Sequence, residues 1–525
     1  MSNDFRYQWF SKGDIQGSFS IIFDNLSLLA AISAILMFGF KMPASVVLQH
    51  IVPNTVVGVI VGNILFFILA LYTAKKEQRQ VTAVPFGLDA PSAIGFSMFI
   101  IGPMFAFLGQ HGIGAYEAAM ISWKVSTGCL FLVGVIKLLV VPFANIIYKI
   151  IPQEALLGAI GGVGLAILGI FSLLSIFKAP IVGMVSLAII FLSMFAKMRL
   201  PFNLPSIMIA IIAGSCTYYL LIPLGLANPI NTGGFPPLTV FLPHPSFDFI
   251  QYHDYIIRYI GLAVPFALLV IFGTMAVSKS AECVGEQYSP KTMLFIDGIA
   301  TITSALCGGV SQTTAYAGIS AYKKMGVRSG FLLINSIVVG IGGLLGLVSV
   351  IVAVVPQAVL GPVILFIGIE IVMQGFVHCD KKYYPAILFS ILPSIVRIIE
   401  SIISDGSLVS LDSLQEISFK ASDGISSSLA ILLLGNGFII TGMMWASILC
   451  FAIDRKWVSS FICCLILSVL SYFGLIHSVY ITGQMYWHSK LPESVSTVPL
   501  QLCLGYLALG LIILGLSRFQ TKEEL

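Results

Sequence analysis

Val310-Ser311-Gln312-Thr313-Thr314-Ala315-Tyr316-Ala317-Gly318-Ile319-Ser320-Ala321 is a polar, glycine-containing stretch set between long apolar runs. In water it would be an ordinary loop. The surrounding chain is 58% hydrophobic and only 10% charged, whereas soluble domains carry roughly 25% charged residues. The setting is therefore a lipid bilayer, where a backbone amide without a partner costs several kcal/mol. Non-helical backbone at membrane depth persists only where protein buries it or where it lines a cavity. Val84-Pro85-Phe86-Gly87-Leu88-Asp89-Ala90-Pro91-Ser92 is a second such stretch, in the first half of the chain. Two interrupted spans, one per half, are the sequence mark of a transporter binding site.

Outward from these stretches, apolar runs of about 20 residues lie near 19–40, 45–72, 118–146, 154–176, 180–197, 204–224, 258–281, 329–354, 357–376, 383–403, 427–453, 457–481 and 499–518. Three more, 82–108, 290–308 and 312–323, are interrupted or short. The sum is roughly sixteen segments. Alternation from a cytoplasmic N-terminus puts Lys75, Lys76, Arg79, Lys149, Lys197, Arg199, Lys291, Lys323, Lys324, Arg328, Lys381, Lys382, Arg455, Lys456, Arg518 and Lys522 inside. The 225–257 loop has no lysine or arginine, and the 404–426 loop sets Asp405, Asp412, Glu416 and Asp423 against Lys420. This is the positive-inside pattern, with both termini cytoplasmic.

The expected fold class is an all-α polytopic membrane protein. Its third and tenth segments stand seven apart, as an inverted repeat of seven plus seven spans requires. The expected organisation is a cytoplasmic N-terminus over 1–18, a first repeat over 19–224 and a periplasmic loop over 225–257. A second repeat over 258–453, two added spans within 457–518 and a tail over 519–525 follow. Met1 to Gly17 lacks the apolar core and cleavage site of a secretory signal. Nearly all of the nine cysteines fall in or beside apolar runs, without metal spacing, and they read as buried thiols. No nucleotide loop, zinc motif or soluble appended domain is present, and no nucleic-acid partner is expected.

An ionisable residue within a span is a functional hypothesis by default. Glu282 leads, in Ser278-Lys279-Ser280-Ala281-Glu282-Cys283-Val284-Gly285-Glu286. On a continuing helix Lys279, Glu282 and Glu286 share one face. Glu282 then binds substrate or a proton, with Glu286 and Lys279 as further proton-coupling candidates. The plainer reading is a charged helix end with Lys279 snorkelling to the interface. Asp89 follows Phe86 in the Pro85–Pro91 stretch, either facing a cavity or capping the next helix. Ser311, Gln312, Thr313, Thr314 and Tyr316 offer neutral hydrogen-bonding groups, suited to a polar substrate or to helix packing. Asp24, Asn25, Asp297 and Lys137 read as interface or ion-pair positions. Gly308-Gly309, Gly161-Gly162 and Gly340-Ile341-Gly342-Gly343 read as close helix packing. No nucleophile–base constellation emerges, so an enzyme is not expected.

Asp297-Gly298-Ile299-Ala300-Thr301, Gly308-Gly309-Val310-Ser311-Gln312-Thr313-Thr314 and Val355-Pro356-Gln357-Ala358-Val359-Leu360-Gly361 resemble the xanthine/uracil permeases, the nucleobase–cation symporters. Glu282-Cys283-Val284-Gly285 looks like that family's acidic-x-x-Gly motif, and Gly87-Leu88-Asp89-Ala90 like the Gly-Leu-Asn-Ala of its purine branch. Val81-Thr82-Ala83-Val84-Pro85-Phe86-Gly87 and Arg199-Leu200-Pro201-Phe202 look closer still to a bacterial subgroup of these permeases. The resemblance implies core and gate domains, short antiparallel strands in the third and tenth spans, and elevator-like transport. It further implies a homodimer, coupling to H+ or Na+, a bacterial plasma membrane and Glu282 as the base-binding carboxylate. No other cofactor or metal is expected.

This chain departs from the family where a Glu or Gln usually follows the Thr-Thr pair, since it reads Ala315-Tyr316-Ala317-Gly318. A nucleobase pocket without that partner loses affinity. Asp89 is the candidate substitute from the opposite strand. The leading expectation is coupled uptake of a nucleobase-like solute. The alternative is an anion or organic-acid transporter on the same fold, like the sulfate permeases, with helix N-termini facing a central site.

Overall fold

The structure, a computed structural model, describes residues 6–144, 152–196, 198, 206–227, 240–316, 318–347, 350, 354–403, 425–481, 483 and 485–517. The Arg199-Leu200-Pro201-Phe202 motif, Ala317 and residues 404–424 of the acidic loop lie outside them.

The chain is mostly helical. The elements that matter are, in order, α1 (Lys12–Ala34), α2 (Val52–Glu77), β1 (Phe86–Leu88), α3 (Ala90–Phe96), α4 (Ala115–Val140), α5 (Ile260–Cys283) and α6 (Pro290–Leu306). There follow β2 (Thr313–Ala315), α7 (Ile319–Lys324), α8 (Gly330–Asn335), α9 (Tyr384–Ile403), α10 (Ser427–Gly435), α11 (Phe438–Ile453), α12 (Trp457–Tyr472) and α13 (Val498–Ser517). Local chemistry sets their ends. A capping box starts α1, with the Ser11 amide donating to the Asp14 carboxylate at 2.6 Å. Pro290 occupies the first turn of α6, where a missing N–H does no harm.

Among the described residues, six helices are long and apolar enough to cross a membrane, or seven if the bent pair α10–α11 is one span. Pro180–Ser193, Ile209–Leu221, Gly330–Leu344 and Trp457–Tyr472 are apolar but shorter. The sixteen-segment expectation thus includes runs that form only short helices. α6 is continuous, whereas the 82–108 and 312–323 segments each contain a strand.

The chain forms two compact units. The first comprises Met1–Asn145, Phe171–Ile256 and Phe266–Phe366, and so draws on both halves of the sequence. Its centre is the antiparallel pair β1–β2, in register Phe86↔Ala315, Gly87↔Thr314 and Leu88↔Thr313. Close helix packing surrounds it. The Gly298 α-carbon lies against Leu138, and that of Gly134 against Ile302, which draws α4 and α6 together. The Gly58 α-carbon on α2 lies against Ser304 and Thr313.

The second unit comprises Ile146–Ile170, Ile257–Pro265 and Ile367–Leu525. Gly158 and Gly162 seat the Gln153–Val163 helix on Ser390 and Ser394 of α9, and Gly442 of α11 meets the Ser390 carbonyl. The 84° bend between α10 and α11 falls at Asn436 and Gly437, the latter at φ +74°. His477 satisfies the opened backbone, its amide donating to the Asn436 carbonyl at 2.9 Å and its Nδ1 lying 2.8 Å from the Leu433 carbonyl. Asn436 Nδ2 donates to the carbonyls of Ser478 and Tyr480 at 2.8 Å each.

Candidate functional site

Two spans break together, and each break supplies the other's hydrogen bonds. Beyond the ladder, the Asp89 amide donates to the Gln312 carbonyl at 2.9 Å and the Tyr316 amide to the Pro85 carbonyl at 2.8 Å. The Leu88 amide donates to Asn25 Oδ1 of α1 at 2.8 Å, and the Tyr316 hydroxyl to the Leu88 carbonyl at 2.8 Å. Asn25 Nδ2 bonds the Ile21 carbonyl at 2.7 Å and approaches Asn335 Oδ1 of α8 at 3.5 Å. This accounting is what lets extended backbone stand at membrane depth.

Asp89 caps α3, accepting from the Ser92 amide at 2.8 Å. The Gln312 amide donates to Ser92 Oγ at 3.3 Å, and Gln312 Nε2 to the Phe266 carbonyl of α5 at 3.0 Å. Gln312 Oε1 and Thr313 Oγ1 are buried without hydrogen-bond partners. Ser311 Oγ donates to the Gln312 carbonyl at 3.0 Å, and Thr314 Oγ1 to that of Ala315 at 3.5 Å. The Phe86 ring lies on Gly62 of α2 and 4.9 Å from the Phe66 ring.

A buried ion pair braces β2. Lys137 Nζ of α4 lies 3.0 Å from Asp297 Oδ1 of α6. It also donates to Thr301 Oγ1 at 3.0 Å and to the Thr313 carbonyl at 3.3 Å. Thr274 of α5 donates to the other Asp297 oxygen at 2.9 Å.

A second cluster holds the segment that leads into β1. Buried Glu286 pairs with Lys323 of α7 at 2.9 Å and with Arg79 at 3.0 Å, and accepts from the Thr82 amide at 3.2 Å. The hydroxyls of Tyr7 and Tyr288 donate to the carbonyls of Val81 and Thr82, at 3.0 and 2.8 Å. Burial pushes the Tyr7 phenol up to about 12 and Tyr288 well above its ordinary value, so both remain donors at neutral pH. Asp14 reaches across from α1, accepting from the amides of Arg328 and Phe331 at 3.1 and 3.0 Å and so capping α8.

The expected residues therefore divide. Phe86, Asp89, Ser311, Gln312, Thr313, Thr314 and Tyr316 come together at the strand pair. Glu286 stands apart from them, in the clamp. Glu282 is exposed and joins neither group. The shared face with Glu286 does not form, because α5 stops at Cys283 and Gly285 turns the chain at φ +80°. The Lys279 side chain lies outside the described residues. Sequence reasoning missed the roles of Asn25, Asn335 and Asp14. A polar side chain within an apolar span was the available signal for the first two.

No protein-family model matches the chain, and no curated protein matches it. Solved structures share its fold. One is the transmembrane domain of a cyanobacterium bicarbonate transporter, BicA, at 17% identity and TM-score 0.50, covering 75% of this chain and 97% of that one. SLC26A9 matches at 16% identity and TM-score 0.54, over 73% of this chain and 62% of its own length. Murine SLC26A9, an anion transporter in its inward-facing state, matches at 14% identity and TM-score 0.50, over 78% and 69%.

These likenesses correct the expectation of a nucleobase–cation symporter. The motifs behind it serve architecture: Asp297 bonds Lys137, Gly298 packs on Leu138, and Thr313-Thr314 lie in the ladder. Residues in such roles mark a fold and leave the solute open. The chain is a polytopic membrane protein, and the fold it shares is that of transporters rather than enzymes.

Proposed function

We propose that the chain is a secondary active transporter that moves a small inorganic or organic anion by alternating access. The β1–β2 pair carries the reading. Two apolar spans break at one level and hydrogen-bond across the break. The stretch from Val310 to Gly318 has no carboxylate, and its buried Thr313 hydroxyl has no hydrogen-bond partner. Such a donor suits an anion, and interrupted spans bring backbone amides and helix ends to it. The fold shared with a bicarbonate transporter and an anion transporter supports the same choice.

Asp89 implies coupling. It is buried, and the nearby Lys137 is already paired with Asp297. An anion arriving beside a fixed carboxylate is favoured only when a proton or another cation accompanies it. We further propose seven-plus-seven inverted repeats over 19–224 and 258–453. In this reading the strand-bearing unit carries the solute, and the protein works as a homodimer in a bacterial plasma membrane with both termini cytoplasmic.

The test is uptake by purified protein in liposomes, with labelled bicarbonate, sulfate, chloride and short carboxylates beside uracil and xanthine. Saturable uptake of at least one anion is expected. Uptake of a nucleobase alone overturns the reading.

A further inference from the structure

Gln16, Ser20, Asp24 and Ser27 follow one another at helical spacing along one face of α1. Gln16 and Ser20 are exposed, Asp24 is half-buried and Ser27 is buried. Access thus closes progressively from the N-terminal end of α1 toward the level where Asn25 grips β1. A polar stripe ending in a carboxylate does not face acyl chains at rest, because an unpaired charge there is too costly.

Two observations single out Asp24. Other carboxylates of the same unit are held: Asp14, Asp89, Asp297 and Glu286 each accept from named donors. Asp24 has no hydrogen bond or cation partner among the described residues. Ser27 Oγ, one turn further on, is also buried without a hydrogen-bond partner. The titratable groups in electrostatic range of Asp24 are the phenols of Tyr316 and Tyr322. Asp89, at the head of α3, is in range of Tyr316 too. Of the other elements packed on α1, β1, α8 and the π-helical turns Ile35–Gly39 and Ser336–Ile341 contain no charged residue. α7, whose Tyr322 lies on Gly17, carries Lys323, paired with Glu286, and the exposed Lys324, and the Arg328 amide bonds Asp14.

We propose that Asp24 is the proton-binding group of the transport cycle. A proton from the solvent joins an Asp24 carboxylate oxygen as the anion binds at the strand pair, and leaves to solvent on the other side once the anion has left. Protonation removes the uncompensated charge and creates a donor within helical reach of Ser27 Oγ. The inference rests on the anion reading above.

Proteoliposomes loaded with a pH-sensitive dye test it, using bicarbonate-free buffer and the best anion other than bicarbonate from the uptake screen. Wild-type protein should acidify the lumen when anion is added outside, and uptake should fall about tenfold per pH unit above the carboxylate's titration. Asp24→Asn should keep anion exchange at equal pH, lose anion-driven acidification and lose the pH dependence. Asp24→Glu should restore both, which a merely structural role does not predict. Persistent acidification in Asp24→Asn overturns the proposal. So does wild-type uptake that follows a sodium gradient and ignores a pH gradient, a result that needs no variant. Wild-type protein that moves no anion overturns the anion reading itself, and is seen first.

Discussion

Lys137 and Asp297 lie 3.0 Å apart, and neither side chain has exposed surface. The ammonium also bonds Thr301 and the Thr313 carbonyl, and Thr274 takes the second carboxylate oxygen. A pair so fully satisfied is costly to break and cheap to replace whole. Lys137→Met or Asp297→Asn alone should each cost about 3–5 kcal/mol, by leaving one buried charge uncompensated. The double variant should recover most of that loss. Thermal unfolding in detergent decides, and a double variant less stable than either single one rules out this account.

Glu286 and Glu282 should behave as opposites. Glu286→Gln leaves Arg79 and Lys323 facing each other without their shared anion, and should cost about 1–3 kcal/mol together with much of the transport rate. Glu282→Gln touches an exposed side chain and should change stability by no more than about 0.5 kcal/mol, with uptake unaltered. Equal effects of the two substitutions on uptake would return Glu282 to the site.

Gly62 leaves room for the Phe86 ring, so a methyl group there must displace it. Gly62→Ala should cost about 1–3 kcal/mol through overpacking and raise KM by shifting β1. Adding Phe86→Leu should return both values toward wild type. Uptake kinetics with the transported anion, beside a melting curve, measure the two effects separately.

Asp89 combines a cap with a charge. Asp89→Asn keeps an acceptor for the Ser92 amide, whereas Asp89→Ala loses it at about 0.5–2 kcal/mol. If the anion binds near the head of α3, removing the charge while keeping the cap should lower KM. A KM that rises in Asp89→Asn would place the anion elsewhere.

Both breaks in the spans were legible in the sequence, because prolines, glycines and clustered hydroxyls cannot continue an apolar helix. Their pairing was suggested by one lying in each half. What sequence spacing could not show was where helices stop. The reading of Lys279, Glu282 and Glu286 as one face assumed a helix running through Gly285, and the turn there sends Glu286 inward and leaves Glu282 exposed. Lys137 and Asp297 were visible as charges in spans, but 160 residues separate them and no local pattern joins such a pair. The family motifs misled for a related reason, since the residues that carried them pack helices and pair strands.

The strand pair also governs how the protein is made. Tyr316 and the Leu88 carbonyl it bonds are 228 residues apart. At roughly 5–20 residues per second of synthesis, β1 waits on the order of 10–50 s for β2 to leave the ribosome. Through that interval the backbone around Phe86 lacks its ladder partners, in or beside a bilayer that supplies none. The nascent first half is therefore a client for shielding by the insertion machinery. A ribosome stalled before Thr313 leaves behind a chain that cannot complete its own centre.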